Sequence, residues 1–167
     1  EERASSLVGW LGEEATRDYP YPVVHREANS ELIKQMAKSV DPWNPLWNDE
    51  NYARKTRWGG IIAPPLFPRM VTHGGSGWLK LNIPSGLGVK SSYVGNEWEL
   101  FQPVRINDSF RVWHGKPQLI DITGEDRKEF RTFKVLANYL KYYNQKDELV
   151  AIFKRYFQET ILPEPAA

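Results

Sequence analysis

At 167 residues the chain has the length of one domain and enough of it to bury a sizeable core. Its 22 Lys and Arg against 21 Asp and Glu leave a formal net charge of +1, without the basic excess expected of a nucleic-acid binder. With no cysteine there is no disulfide, thiolate metal site or cysteine nucleophile, and His25, His73 and His114 show no metal-ligand spacing.

No apolar run approaches the ~18 residues needed to cross a bilayer, and Glu1-Glu2-Arg3 is not the start of a signal peptide, so a cytoplasmic location is expected. Seven Trp, eight Tyr and seven Phe suit a large apolar cleft or interface and do not distinguish the two.

Residues 1–28 read as an irregular arm entering a short edge strand. Tyr19-Pro20-Tyr21-Pro22 precedes Val23-Val24, and two prolines exclude a central strand. Residues 29–40 read as a helix, because Leu32, Ile33, Met36, Ala37 and Val40 recur at helical spacing. Asn29 or Ser30 serves as its N-cap and Pro42 stops it. Asn48 is the next expected N-cap, with Asp49 and Glu50 in the first turn and Arg54 and Lys55 in the last, as the helix dipole favours.

Gly59-Gly60 marks a turn. Pro64 and Pro65 are tolerable only in the first turn of a further helix, closed by Gly74-Gly75 and carrying Pro68 inside it, so this helix is expected to be short or distorted.

From Tyr93 the period changes to two. Strands are expected over Val94–Leu100, Phe110–His114, Leu119–Thr123, from Phe133 to a turn at Asn144-Gln145-Lys146-Asp147, and over Leu149–Phe157. Helices first and antiparallel strands after define an α+β domain over residues 29–162, with 163–167 a frayed tail.

Residues 41–67 carry the most specific signal. Asn44-Pro45-Leu46, Tyr52-Ala53 and Trp58-Gly59-Gly60-Ile61-Ile62-Ala63 match, in order and spacing, a segment of the hydratases and dehydratases of the MaoC-like hotdog superfamily. Those proteins read Gly-Asp-x-Asn-Pro-Leu-His, then a short helix ending in Ala, then Phe-Gly-x-Pro-Ile-Ala-His-Gly. The resemblance continues through Gly95–Arg105 and the hairpin Asn144-Gln145 to Glu148-Leu149-Val150-Ala151. It implies a curved antiparallel sheet wrapped around one central helix, with two such units pairing around a working site.

The resemblance further implies an acyl thioester as substrate, with coenzyme A present only as part of it and no other cofactor. It places the acyl pocket along Asn44, Trp47, Trp58, Gly59, Gly60, Ile62, Ala63, Pro65 and Phe67. Arg54, Lys55 and Arg57 are either holders of the coenzyme A phosphates or a solvated helix end. Trp43, Trp47 and Trp58 are either packed in the core or walls of a pocket or interface.

Relatives hydrate a 2-enoyl thioester, or dehydrate the product, with an Asp and a His that manage the water and a backbone N–H that stabilises the enolate oxygen. Where the family has its His this chain has Trp47; where it has Asp there is Pro42, with Asp41 one step further out. The Gly after Ala-His is replaced by Pro64-Pro65, which have no N–H to donate.

Asp41 is therefore a turn carboxylate or, at most, a displaced acid/base. His73 and His114 read as packed or capping histidines. The expectation is a catalytically silent unit of an enoyl-CoA hydratase, shaping a pocket for a bulky acyl group, a steroid-type one among the candidates. A second hotdog chain or domain then supplies the intact Asp and His. The alternatives are a self-sufficient homodimer recruiting Asp41, Glu97 or His73, and a non-enzymatic acyl-CoA-binding scaffold.

Overall fold

Three long strands and the bends in them set the shape of the molecule. The computed structural model describes residues 19–20, 27–72, 88–115, 118–124 and 131–162. The strands are β1 (Tyr19–Pro20), β2 (Gly88–Leu100), β3 (Arg111–His114), β4 (Gln118–Asp121), β5 (Arg131–Tyr143) and β6 (Leu149–Leu162). They form one antiparallel sheet in the order β1-β3-β5-β6-β2, with β4 pairing with β5 beyond the end of β3.

The bends lie at one level. β2 bulges between Tyr93 and Gly95, and β5 bulges between Leu136 and Asn138, both opposite Tyr156 and its neighbours on β6. An extra residue in a strand increases local twist and bends it. On the far side of β5 the lane formed by β3 and β4 breaks at Gly115, whose N–H donates to the Tyr139 carbonyl at 2.6 Å. A Cβ at Gly115 would lie 2.6 Å from Tyr139 Cδ1, so only glycine allows this approach. Aligned breaks in neighbouring strands curl the sheet into a half-barrel.

The helices are short: α1 (Ser30–Val40), α2 (Pro45–Asn48), α3 (Glu50–Arg54) and α4 (Pro68–Val71). Asn29 caps α1, its side chain accepting from the Leu32 N–H at 2.9 Å. α1 buries Ile33 and Ala37 at the expected helical spacing. The core joins Ile33, Ala63, Phe67 and Val71 to Val104, Phe110, Val112, Leu140, Tyr142, Val150 and Phe153 on the sheet side.

Three expectations are corrected. The cap of α3 is Asp49, which accepts from the N–H groups of Asn51 (2.9 Å) and Tyr52 (3.0 Å). Asn48 instead ends α2 and donates its amide back to the Pro42 and Asn44 carbonyls. The helix after Ala63 excludes Pro64 and Pro65: it begins at Pro68, where a missing N–H costs nothing. β2 starts five residues before Tyr93 and β6 runs five beyond Phe157, because each is held by the register of the other rather than by its own alternation. His73, Gly74-Gly75, Val23-Val24 and the 163–167 tail lie outside the described residues.

The loops follow the turn chemistry of their residues. Asn107 (φ 67°) and Asp147 (φ 64°) take the left-handed conformation that Asn and Asp tolerate. Buried Asp108 accepts from the Arg105 N–H at 2.7 Å and from Gln145 Nε2 at 2.9 Å, tying two turns together. The Ala28 N–H donates to the Asp108 carbonyl at 2.7 Å, which anchors the start of α1 to the same point.

A cleft walled by tryptophan and proline

The loop from Leu46 to Pro68 is pressed against the end of β2 by two contacts. Ile62 bridges Arg105, and the Ala63 N–H donates to the Val104 carbonyl at 2.8 Å. Gly59 (φ 69°) takes the left-handed conformation in the turn after Trp58, its N–H donating to the Thr56 carbonyl at 3.0 Å. Arg105 Nη1 donates to the Trp58 carbonyl at 2.6 Å and holds it there.

Between these segments lies a cleft of about 320 Å³. Its walls are Leu46, Trp47, Trp58, Ile62 and Ala63, then Pro64, Pro65 and Pro68, then Leu100-Phe101-Gln102-Pro103-Val104. None of these side chains ionises; Gln102 carries an amide, and Trp47 and Trp58 each an indole N–H. The size falls in the range of small-molecule sites. Leu66, Leu100 and Phe101, each close to half exposed, continue the apolar surface beside it.

Of the residues expected to form the acyl pocket, Trp47, Trp58, Ile62, Ala63 and Pro65 meet in this cleft. Asn44 stands behind it as the cap of α2, accepting from the Leu46 N–H at 3.1 Å. Gly59 and Gly60 form the turn. Phe67 is fully buried in the core and does not line the cleft. Trp47 also walls a second hollow of about 200 Å³ with Ile33, Lys34, Glu50 and Ile106, so it is a partition between two spaces.

Asp41 is the C-cap of α1, its N–H donating to the Ala37 carbonyl at 2.9 Å, and is not a lining residue. The three basic candidates separate. Arg54 pairs with Glu50 at 2.9 Å one turn away, and Lys55 ends α3. Arg57 lies 4.3 Å over the ring of Trp58, at the cleft wall. Among the described residues no three His, Asp or Glu side chains cluster in the manner of a metal site.

Sequence reading missed the wall from Leu100 to Val104 and the clamp by Arg105. A signal for the wall was present in Pro103, which ends strand alternation at the point where the loop docks.

The ionisable groups gather instead on the outer face of the sheet. Lys154 Nζ lies 2.8 Å from Glu99 Oε1 and 3.8 Å from Glu97 Oε1, and Tyr156 donates to Glu97 Oε2 at 2.9 Å. The hydrogen bond to Glu99 raises the Lys154 pKa against the opposing effect of burial. Burial, then the bond to Glu97, raises that of Tyr156.

A curled antiparallel sheet around a short helix, with a cleft where a proline-rich loop meets a strand end, is the hotdog architecture. Over residues 16–153 the chain matches the model of the FAS1-like, dehydratase domain region, and it belongs to that family. It is 28% identical over 127 residues to a UPF0336 protein of Streptomyces coelicolor, covering 75% of this chain and 79% of that one.

Its fold is similar to that of a chain in the ChsH1-ChsH2 complex from Mycobacterium tuberculosis (TM-score 0.64, 15% identity, 98% of this chain and 94% of that one). It is likewise similar to the MaoC-like dehydratase from Rhodospirillum rubrum (TM-score 0.57, 19% identity, 90% and 92%). No helix among the described residues is long and apolar enough to cross a membrane.

Proposed function

We propose that this chain is the non-catalytic hotdog unit of a hydratase or dehydratase that interconverts 2-enoyl and 3-hydroxyacyl thioesters of coenzyme A. The observation that carries the reading is the cleft itself, which is sized for a ligand and lined by side chains none of which ionises. Adding water across an enoyl double bond needs a base to take a proton from water and an acid to deliver one to the α-carbon. Trp47 and the prolines supply neither. They supply apolar walls, which suit an acyl chain.

A partner unit carrying the family's Asp and His then completes the site. Two features support a partner. β2 ends the sheet with one edge unpaired among the described strands, a template for pairing with another chain. Leu66, Leu100 and Phe101 stand half exposed next to the cleft. The first N–H after Ala63 that is free of proline belongs to Leu66, so polarisation of the thioester carbonyl from this segment falls to that group or to the partner.

Of the three basic candidates Arg57 is best placed for a coenzyme A phosphate, since Arg54 is engaged by Glu50. A helix as short as α4 suits branched or ring-bearing acyl groups, steroid-derived ones among them.

The test is hydration of crotonyl-CoA and of a bulkier enoyl-CoA, followed by loss of the conjugated-thioester absorbance. It is run with the chain alone and after co-expression with a hotdog protein bearing the intact motif. No turnover alone and turnover with the partner is expected. Turnover by the chain alone overturns the silent reading and makes Asp41→Asn the next variant. Thioester binding with no turnover alongside any partner points to a scaffold.

A further inference from the structure

The register of the sheet defines what its concave face presents, layer by layer. Leu140, Phe153 and Trp98 occupy facing positions on β5, β6 and β2, with the Trp98 and Phe153 rings 4.6 Å apart. Beyond the bulges, Val135, Phe157 and Tyr93 occupy the corresponding positions, with Tyr93 and Phe157 edge to face at 5.8 Å. Between these two apolar layers the register sets a polar row, Arg155 beside Asn96.

Arg155 is partly buried, and its guanidinium carbon lies 5.4 Å from the Phe153 ring centroid. Arg69, from α4, approaches the same ring at 5.8 Å and donates to the Thr72 carbonyl. The Nε of Arg155 is closed to solvent and has no hydrogen-bond partner among the described residues.

Among the described residues Arg155 makes no ion pair with a carboxylate. Glu97 and Glu99 are engaged on the outer face by Lys154 and Tyr156. Glu159, on the Arg155 side of β6, is four residues on, ~13 Å at about 3.3 Å per residue, and accepts from Ser91 Oγ at 2.8 Å.

A guanidinium Nε closed to water without an acceptor is unfavourable, and such an atom is kept where something else completes it. We propose that Arg155, with Arg69 beside the Phe153 ring, is a recognition site for a carboxylate borne by the acyl chain, far from the thioester. This rests on the thioester reading above and names its substrate class. The planar fork of arginine matches a carboxylate in shape, and Asn96, at the facing position on β2, offers an amide donor. The row lies four residues along β2 from Leu100 at the cleft, ~13 Å by the same rise. That separation suits the distal end of a medium-length acyl chain whose thioester lies at the cleft.

The experiment is direct binding of decanedioyl-CoA and decanoyl-CoA to the full-length chain by calorimetry, with free coenzyme A as a third ligand. The wild type is expected to bind the carboxylate-ended thioester about tenfold or more tighter than the methyl-ended one, as suits a charge-assisted hydrogen bond. Arg155→Met is expected to abolish that preference, keep the decanoyl affinity within about twofold, and leave the melting temperature unchanged or higher, since an unpaired polar atom is removed. Arg155→Lys keeps the charge without the fork and is expected to retain part of the preference.

Equal affinity of the wild type for the two thioesters overturns the assignment whether or not the variants fold, as does a preference that survives Arg155→Met. Loss of free coenzyme A binding in the Arg155 variants assigns the site to the phosphates and overturns it too. Failure of the wild type to bind either thioester removes the thioester reading itself, and this inference with it.

Discussion

The cleft and the outer face of the sheet sit on the same strand and could hardly differ more. At the end of β2, Leu100 and the residues after it face tryptophan and proline, with no ionisable group. One and three residues earlier, Glu99 and Glu97 meet Lys154 and Tyr156 in a network of charges and hydrogen bonds. Charges on a solvated face are screened and inexpensive to hold, so their presence there needs no function. An acid/base pair in a cleft is costly to desolvate and is kept where chemistry needs it. The residues that line the cleft of this chain include no such group.

That contrast can be broken or sharpened by substitution. The largest effect is expected from Phe67→Ala. Phe67 is fully buried beneath the cleft segment, and its truncation should cost about 3–5 kcal/mol of stability in chemical denaturation. If ligand affinity fell instead, with stability intact, Phe67 would belong to the pocket and not to the core. Gly115→Ala comes next: the new Cβ would meet the Tyr139 ring, and about 1–3 kcal/mol should be lost as the lane of β3 and β4 is forced away from β5.

Trp47→Ala tests the cleft directly. It should weaken acyl thioester binding about tenfold, about 1.4 kcal/mol, with a smaller effect on the melting temperature, because Trp47 is only partly buried.

The smallest effect belongs to the outer face. Glu99→Gln should change stability by about 1 kcal/mol or less at neutral pH and leave ligand binding unaltered. Lys154 and Tyr156 both hold their protons more tightly in the folded state than in the unfolded chain. Their contribution is therefore complete below pH ~10 and lost as the pH rises through their raised pKa values. Denaturation midpoints measured from pH 8 upward should fall less steeply in Glu99→Gln than in the wild type, since the first cause of the Lys154 shift has been removed.

Much of the fold was legible because it rests on local chemistry. Asn29 before an amphipathic run, Asn44 before proline, and Asn144 and Asp147 in a turn each act through bonds to residues two to four positions away. The α+β order and the hotdog class were legible for the same reason, helped by the Asn44–Ala63 motif. The cleft was legible in part. Trp47, Trp58 and the prolines were candidates as residues, but the opposite wall comes from residues some forty positions later and depends on the bridge between Ile62 and Arg105.

The amino-acid order by itself determined where α1 starts and stops, where the chain turns at Asn144–Asp147, and that no imidazole follows Asn44-Pro45-Leu46. Those properties are written in neighbouring residues, and backbone sterics and capping read them directly. Only the tertiary structure decided that Phe67 serves the core, that Trp47 divides two hollows, and that Arg155 lies between two apolar layers of the concave face. Each of these depends on strand register and on bulges at Val94 and Ala137, and a one-residue shift in either would turn the same side chains to the other face of the sheet.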